Sequence, residues 1–139
     1  MKNIQYLLLT SLSALFMCAH ADVVVIASSK SSVPNLDKDQ IADIYLGKSN
    51  TYPDGSTAIP MALAEGDPAR EVFRNAVIDK SEPQLKSYWS KMVFSGKGTP
   101  PKEIAGSAEL LKLIATNPSS IGYVDKTTVD SSVKVIFAP

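Results

Sequence analysis

The sequence predicts an α/β fold, a three-layer sandwich around a mixed, mostly parallel sheet. Two observations carry that prediction. Short apolar runs of strand length alternate with helical stretches, in the order β-α-β-α-α-α-β-β, which is the pattern of strands joined by helical crossovers. The first such run, Val23-Val24-Val25-Ile26, is continuously β-branched rather than alternating, as expected of a strand covered on both faces.

The elements follow in order. After the first strand, Ala27-Ser28-Ser29-Lys30-Ser31-Ser32 is a polar loop of small residues. Asp37-x-x-Gln40 has capping-box spacing, and Ile41, Ile44 and Tyr45 share one helical face, so a helix is expected over Lys38 to Leu46 with Gly47 as its stop. Tyr52-Pro53-Asp54-Gly55 is a turn, and Ala58 to Leu63 is a second strand. Asp67-Pro68 opens the next helix, with Asp as cap and Pro where a missing N–H costs nothing; Val72, Phe73, Ala76 and Val77 form its stripe. Ser81-x-x-Gln84 is a second capping box. Leu85, Tyr88, Trp89, Met92 and Val93 then recur at helical spacing, the strongest periodic signal in the chain, and core packing is the expectation for Tyr88 and Trp89. Ser95 to Pro101 is a loop, with a flexible or partner-contacting stretch from Lys97 to Lys102. A helix from Ser107 to Thr116 stops at Asn117-Pro118, and Ile121 to Val124 and Val133 to Phe137 are the last strands.

The amino-terminal segment has its own logic. Lys2, an apolar run from Ile4 to Met17, and Ala19-His20-Ala21 have the form of a secretory leader with a small-x-small cleavage site, too short for a comfortable membrane span. A signal peptide is therefore expected over residues 1–21 and one domain over 22–139, in the periplasm. Lipidation at Cys18 is the competing reading, and Met17 fits it poorly. Removing 21 of 139 residues leaves 118 and takes away Cys18 and His20, the only cysteine and the only histidine. The remainder carries 13 basic and 14 acidic residues, without the basic excess that binding a nucleic acid needs. Ser-His-Asp and Cys-His nucleophile systems lack their base, and His or Cys zinc sites lack their ligands. No enzyme, no cofactor and no metal is expected.

The segments Ile41-Ala42-Asp43-Ile44-Tyr45-Leu46-Gly47-Lys48, Tyr52-Pro53-Asp54-Gly55, Ile59-Pro60-Met61, Arg70-Glu71-x-Phe73 and Asn117-Pro118-Ser119-Ser120-Ile121-Gly122-Tyr123-Val124 occur in an order that resembles the phosphate-binding proteins of ABC transporters, of the type II periplasmic-binding-protein fold. The resemblance runs from Leu36 to Val124. It implies one lobe of that fold, non-catalytic binding of a small oxyanion such as phosphate, and a membrane permease as partner. Family members have two lobes and about twice this length. Their anion grip, an Arg-x-x-Gly-Ser-Gly-Thr segment before the "R-E-x-F" helix, corresponds here to Leu63-Ala64-Glu65-Gly66-Asp67-Pro68-Ala69. Asp67 would occupy the helix N–H donors, Pro68 removes one, and carboxylates about 4–6 Å from a phosphate repel it by up to a few kcal/mol.

The candidate ligand-binding residues are Ser28, Ser29, Ser31 and Ser32, on the loop following the first strand, with Glu65, Gly66, Asp67, Arg70 and Tyr123. Asp67 is a cap or a ligand contact. Arg70 faces the ligand or pairs with Glu65 or Asp67. The alternative function is a protein-interaction or sensor-accessory module that keeps the lobe without a solute, with a sensor protein or a second copy as partner.

Overall fold

The computed structural model describes residues 22–139; the leader expected over residues 1–21 lies outside them. The elements are β1 (Val23–Ser28), α1 (Lys38–Tyr45), β2 (Ile59–Leu63), α2 (Pro68–Phe73), a π-helical turn (Arg74–Ile78), α3 (Glu82–Phe94), β3 (Lys102–Ile104), α4 (Ser107–Thr116), β4 (Ser120–Asp125), a 3₁₀ turn (Lys126–Thr128) and β5 (Val133–Phe137). The helix starts follow the cap chemistry. Asp37 and Ser81 each accept from the backbone N–H of the glutamine three residues on, while that glutamine's side chain accepts from the cap's own N–H. Asp67 caps α2 with Pro68 at the first helical position.

The sheet order is β3-β2-β4-β1-β5. β2 pairs in parallel with both β3 and β4, whereas β1 is antiparallel to β4 and to β5. Four strands thus point one way, and β1 alone points the other. β3 was not expected from the sequence. It has only three residues, two of them exposed, and Pro100-Pro101 directly before it. The expected helix from Asp67 also changes form, widening from α2 into the π-helical turn and ending at Asp79 in the left-handed region, φ 57°.

Alternation along β4 shows the three layers. Gly122 faces α4: a Cβ there would lie 3.1 Å from Ile114 Cδ1. Tyr123 faces the other side, stacked on Phe73 of α2 with ring centroids 4.0 Å apart and within 5.8 Å of the Tyr45 ring of α1. Ile26, Ile41, Leu63, Leu110, Ile121 and Ile136 are fully buried between the layers. Among the described residues, no helix is long and apolar enough to cross a membrane.

β2 and β4 stay paired only from Ile59/Ser120 to Pro60/Ile121, and then diverge. Buried backbone groups released this way need partners, and two tyrosines supply them. The Tyr45 hydroxyl donates to the carbonyl of Met61 at 2.8 Å, with that of Ile121 at 3.2 Å, and the Leu63 N–H donates to the Tyr123 hydroxyl at 3.1 Å. The carboxyl end of the sheet is thereby opened without orphaned polar groups on these residues.

Candidate binding cleft

At that open end lies a cleft of about 670 Å³ between the strand ends, α2 with its π-helical turn, and α3. Its size falls in the range of small-molecule sites, roughly 300–1,000 Å³. The floor is aromatic, from Tyr45, Phe73 and Tyr123; the outer wall is the stripe Leu85, Trp89, Val93 and Phe94 of α3.

The polar centre of the cleft is Arg70. Its Nε donates to Glu82 Oε1 at 2.7 Å and its Nη2 to Glu82 Oε2 at 3.1 Å, a two-pronged clamp. Nη1 donates to the Leu63 carbonyl and to Glu103 Oε1, both at 2.9 Å. The side chain is only 12% exposed and Glu82 21%. One turn along, Arg74 reaches the same carboxylate, with Nε 3.4 Å from Glu82 Oε1; its Nη1 donates to the Lys80 carbonyl, and Nε itself is buried without a hydrogen-bond partner. Two guanidiniums therefore share Glu82. The hydrogen bond from Arg70, the largest influence, holds the Glu82 carboxyl below its ordinary range against the opposing effect of burial.

The sequence-predicted residues divide into two groups. Glu65, Gly66, Asp67, Arg70 and Tyr123 gather at the cleft end of the sheet, but most of their polar groups are engaged internally. Glu65 pairs with Lys86 of α3 at 3.0 Å, and Gly66 makes the turn before α2 with φ 93°. Asp67 accepts from the Ala69 N–H at 2.9 Å, so the cap role is the observed one. Tyr123 accepts from Leu63, and burial pushes its phenol well above the ordinary range. Arg70 pairs with Glu82 and Glu103 rather than with Glu65 or Asp67.

The serine loop is elsewhere. Because β1 runs against β4, Ser28 lies level with the start of β4 and β5, at the opposite end of the sheet. Four residues of β2 separate the two ends, about 13 Å at a strand's rise per residue. Ser28 donates to the Ala115 carbonyl at the end of α4, and Ser31 accepts from the Val33 N–H; Ser29 and Ser32 are exposed. This placement separates the four serines from the Arg70 cleft.

Residues not singled out from the sequence complete the site: Glu82, Arg74, Glu103 and Phe94. Arg70 and Arg74 at i and i+4 of one helical stretch was the available signal for a shared partner.

The stripe of α3 is also used differently from expectation. Trp89 is buried over Gly47, and Tyr88 donates to the Leu46 carbonyl, but Val93 is 53% and Phe94 95% exposed. Only part of the helix serves the core.

No protein-family model and no curated protein sequence matches the chain. Solved structures do. One described as a phosphate ABC transporter substrate-binding protein with bound phosphate, from Clostridium perfringens, superposes with TM-score 0.67 at 21% identity, over 83% of this chain and 44% of that one. An ABC-type phosphate transport receptor from Vibrio cholerae gives TM-score 0.67 at 16% identity, over 83% and 45%. PstS from Borrelia burgdorferi gives 0.61 at 12%, over 83% and 46%. The chain spans less than half the length of these proteins, and its fold is that of a corresponding part of a phosphate-transport binding protein.

Proposed function

We propose that this chain is an exported, non-catalytic binding protein that receives a small oxyanion, such as phosphate, at Arg70 and Arg74 on the floor of the cleft. One observation supports this above the others. A largely buried arginine is clamped in two-pronged fashion by a carboxylate, the geometry in which a guanidinium also takes phosphate, so Glu82 occupies the seat that an oxyanion would take. Binding is then an exchange, in which the solute displaces Glu82 and gains Arg74 Nε, which makes an ion pair with Glu82 but no hydrogen bond. A membrane permease or sensor would read the loaded form.

Thermal unfolding with millimolar phosphate and sulfate tests the reading. Ligand at 100 times its dissociation constant stabilises the fold by about 2.7 kcal/mol. Glu82→Gln, which weakens the internal competitor, is expected to enlarge the shift, and Arg70→Ala to abolish it. An absence of any anion-dependent shift in both the parent and Glu82→Gln would sink the reading. Sequencing the amino terminus of exported protein checks the cleavage after Ala21.

A second reading, a protein-interaction module, is favoured by Val93 and Phe94, two large apolar side chains left uncovered at the rim of the cleft.

A further inference from the structure

We propose that the solute of this cleft is an organic carboxylate with an apolar body, its carboxylate taking the place of Glu82 on Arg70 and its body lying against Phe73 and Leu85. The proposal rests on the anion reading above and narrows it to one chemical class.

Glu82 itself shows which head group fits. It meets Arg70 as a planar pair of oxygens on a methylene stem, with Nε 2.7 Å from one oxygen and Nη2 3.1 Å from the other. A ligand carboxylate replaces it shape for shape and charge for charge. A phosphate dianion would instead add a negative charge beside Glu103, which lies 2.9 Å from the same guanidinium. The displaced Glu82 side chain has a cation to turn to. Lys86 stands four residues on along α3, held only by its exposed pair with Glu65.

The donors left over match an acceptor. Leu63, at the end of β2, fixes two groups at once: its carbonyl accepts from Arg70 Nη1 at 2.9 Å, and its N–H donates to the Tyr123 hydroxyl at 3.1 Å. The N–H and carbonyl of a strand residue point to the same side, so the guanidinium and the phenol share that side of the strand end. Tyr123 lines the cleft with 1% of its surface exposed, and its own O–H proton makes no hydrogen bond among the described residues. Arg74 Nε is likewise buried without a hydrogen bond. Buried donors call for acceptors, and the two oxygens of a carboxylate, with about four lone-pair sites, supply them.

Size selects the body. Inorganic phosphate has the bulk of a few water molecules, at about 30 Å³ each, and would leave most of a cleft of about 670 Å³ unfilled. Beyond the two guanidiniums the lining includes Tyr45, Phe73, Ile78, Leu85 and Trp89. Glu65 and Lys86, the charges toward the rim, neutralise each other, so the far end of a ligand meets apolar surface and no unmet charge.

The test uses the full chain expressed for export and recovered from the periplasm. Isothermal titration and thermal unfolding compare acetate, hexanoate and 3-phenylpropanoate with inorganic phosphate, and with hexanol, which has the body without the head. Hexanoate and 3-phenylpropanoate are expected to bind more than about tenfold tighter than acetate, since each fully buried methylene tightens binding by up to about fourfold. Both should also change the emission of Trp89. Leu85→Asn is expected to remove most of the advantage of hexanoate over acetate while keeping the circular dichroism of the parent. Phosphate binding with hexanoate no tighter than acetate would overturn this proposal and leave the anion reading standing, as would an advantage unchanged in Leu85→Asn. Hexanol binding as tightly as hexanoate, or no response to any anion, organic or inorganic, would overturn both.

Discussion

Gly47 and Trp89 are in such close contact that a β-carbon on Gly47 would sit 2.9 Å from Trp89 Cη2. Gly47 is the residue after the α1 cap, at φ 69°, so two requirements for glycine coincide there. It lets α1 end in the left-handed region, and it lets the indole of α3 lie over that end. Gly47→Ala should destabilise the fold by about 2 kcal/mol, most of it from the left-handed backbone. A denaturant titration gives the loss. Displacement of the indole, the only one in the chain, should appear as a red shift of tryptophan emission before the global transition.

The Arg70–Glu82 clamp should set the acid limb of stability. The folded carboxyl is depressed from an ordinary 4.5, so its contribution is fully present above that value and is lost as pH falls through the depressed one. Asp54, Asp125 and Asp130 are also depressed, chiefly by hydrogen bonds within their own turns. They remain in a Glu82→Gln chain, so the difference between the two acid titrations isolates Glu82. Glu82→Gln is expected to flatten the curve below pH 4.5. Arg70→Ala should cost about 2 kcal/mol near neutrality, less than the roughly 3–5 typical of breaking a fully buried pair, because Glu82 keeps some water and Arg74.

Tyr45, Tyr52 and Tyr123 should withstand alkali. Burial is the largest cause in each case and raises all three phenols above their ordinary value of 10. Their stabilising contribution is complete below pH 10 and is lost as pH rises from there toward the raised values. An absorbance titration at alkaline pH should show these three ionising only with unfolding. Tyr45→Phe, which takes the donor from the Met61 carbonyl, should cost about 1–2 kcal/mol in urea unfolding.

Gly122 should resist enlargement. Its added β-carbon would lie 3.1 Å from Ile114 Cδ1 and 3.2 Å from Cγ1, both on α4. Gly122→Ala is expected to cost about 1–3 kcal/mol by overpacking. Adding Ile114→Val, which removes the closer methyl, should recover part of that loss in a double-mutant cycle; strict additivity would show that the contact is not the cause.

Local chemistry was legible in the sequence, and strand direction was not. Asp37 with Gln40, Ser81 with Gln84, and Asp67 with Pro68 announced three helix starts because capping is settled within a few residues. Ser107 to Thr116 is a helix over the expected span. The serine loop failed to join Arg70 because adjacency in an α/β sheet depends on which way β1 runs, and nothing in Val23–Ile26 encodes that. β3 has no periodic signal in three residues; pairing with β2 makes it a strand. The partner of Arg70 was missed for a related reason. Glu82 is twelve residues away, and only the bend through the π-helical turn returns the chain to place it there. Phe94 and Val93 look like ordinary members of a core stripe until the position of α3 leaves them outside.

The reversed direction of β1 has a practical corollary for rewiring the chain. With Val25 opposite Phe137 in the sheet, Asp22 and Pro139 emerge side by side, at the same end as the cleft. In a version limited to residues 22–139, a short linker joining them would permit circular permutation, with new termini cut among the exposed serines at Ser29 and Ser32. Tags and fusion partners would then leave from the far end of the molecule, and the face bearing Arg70 and Phe94 would be free of appended chain.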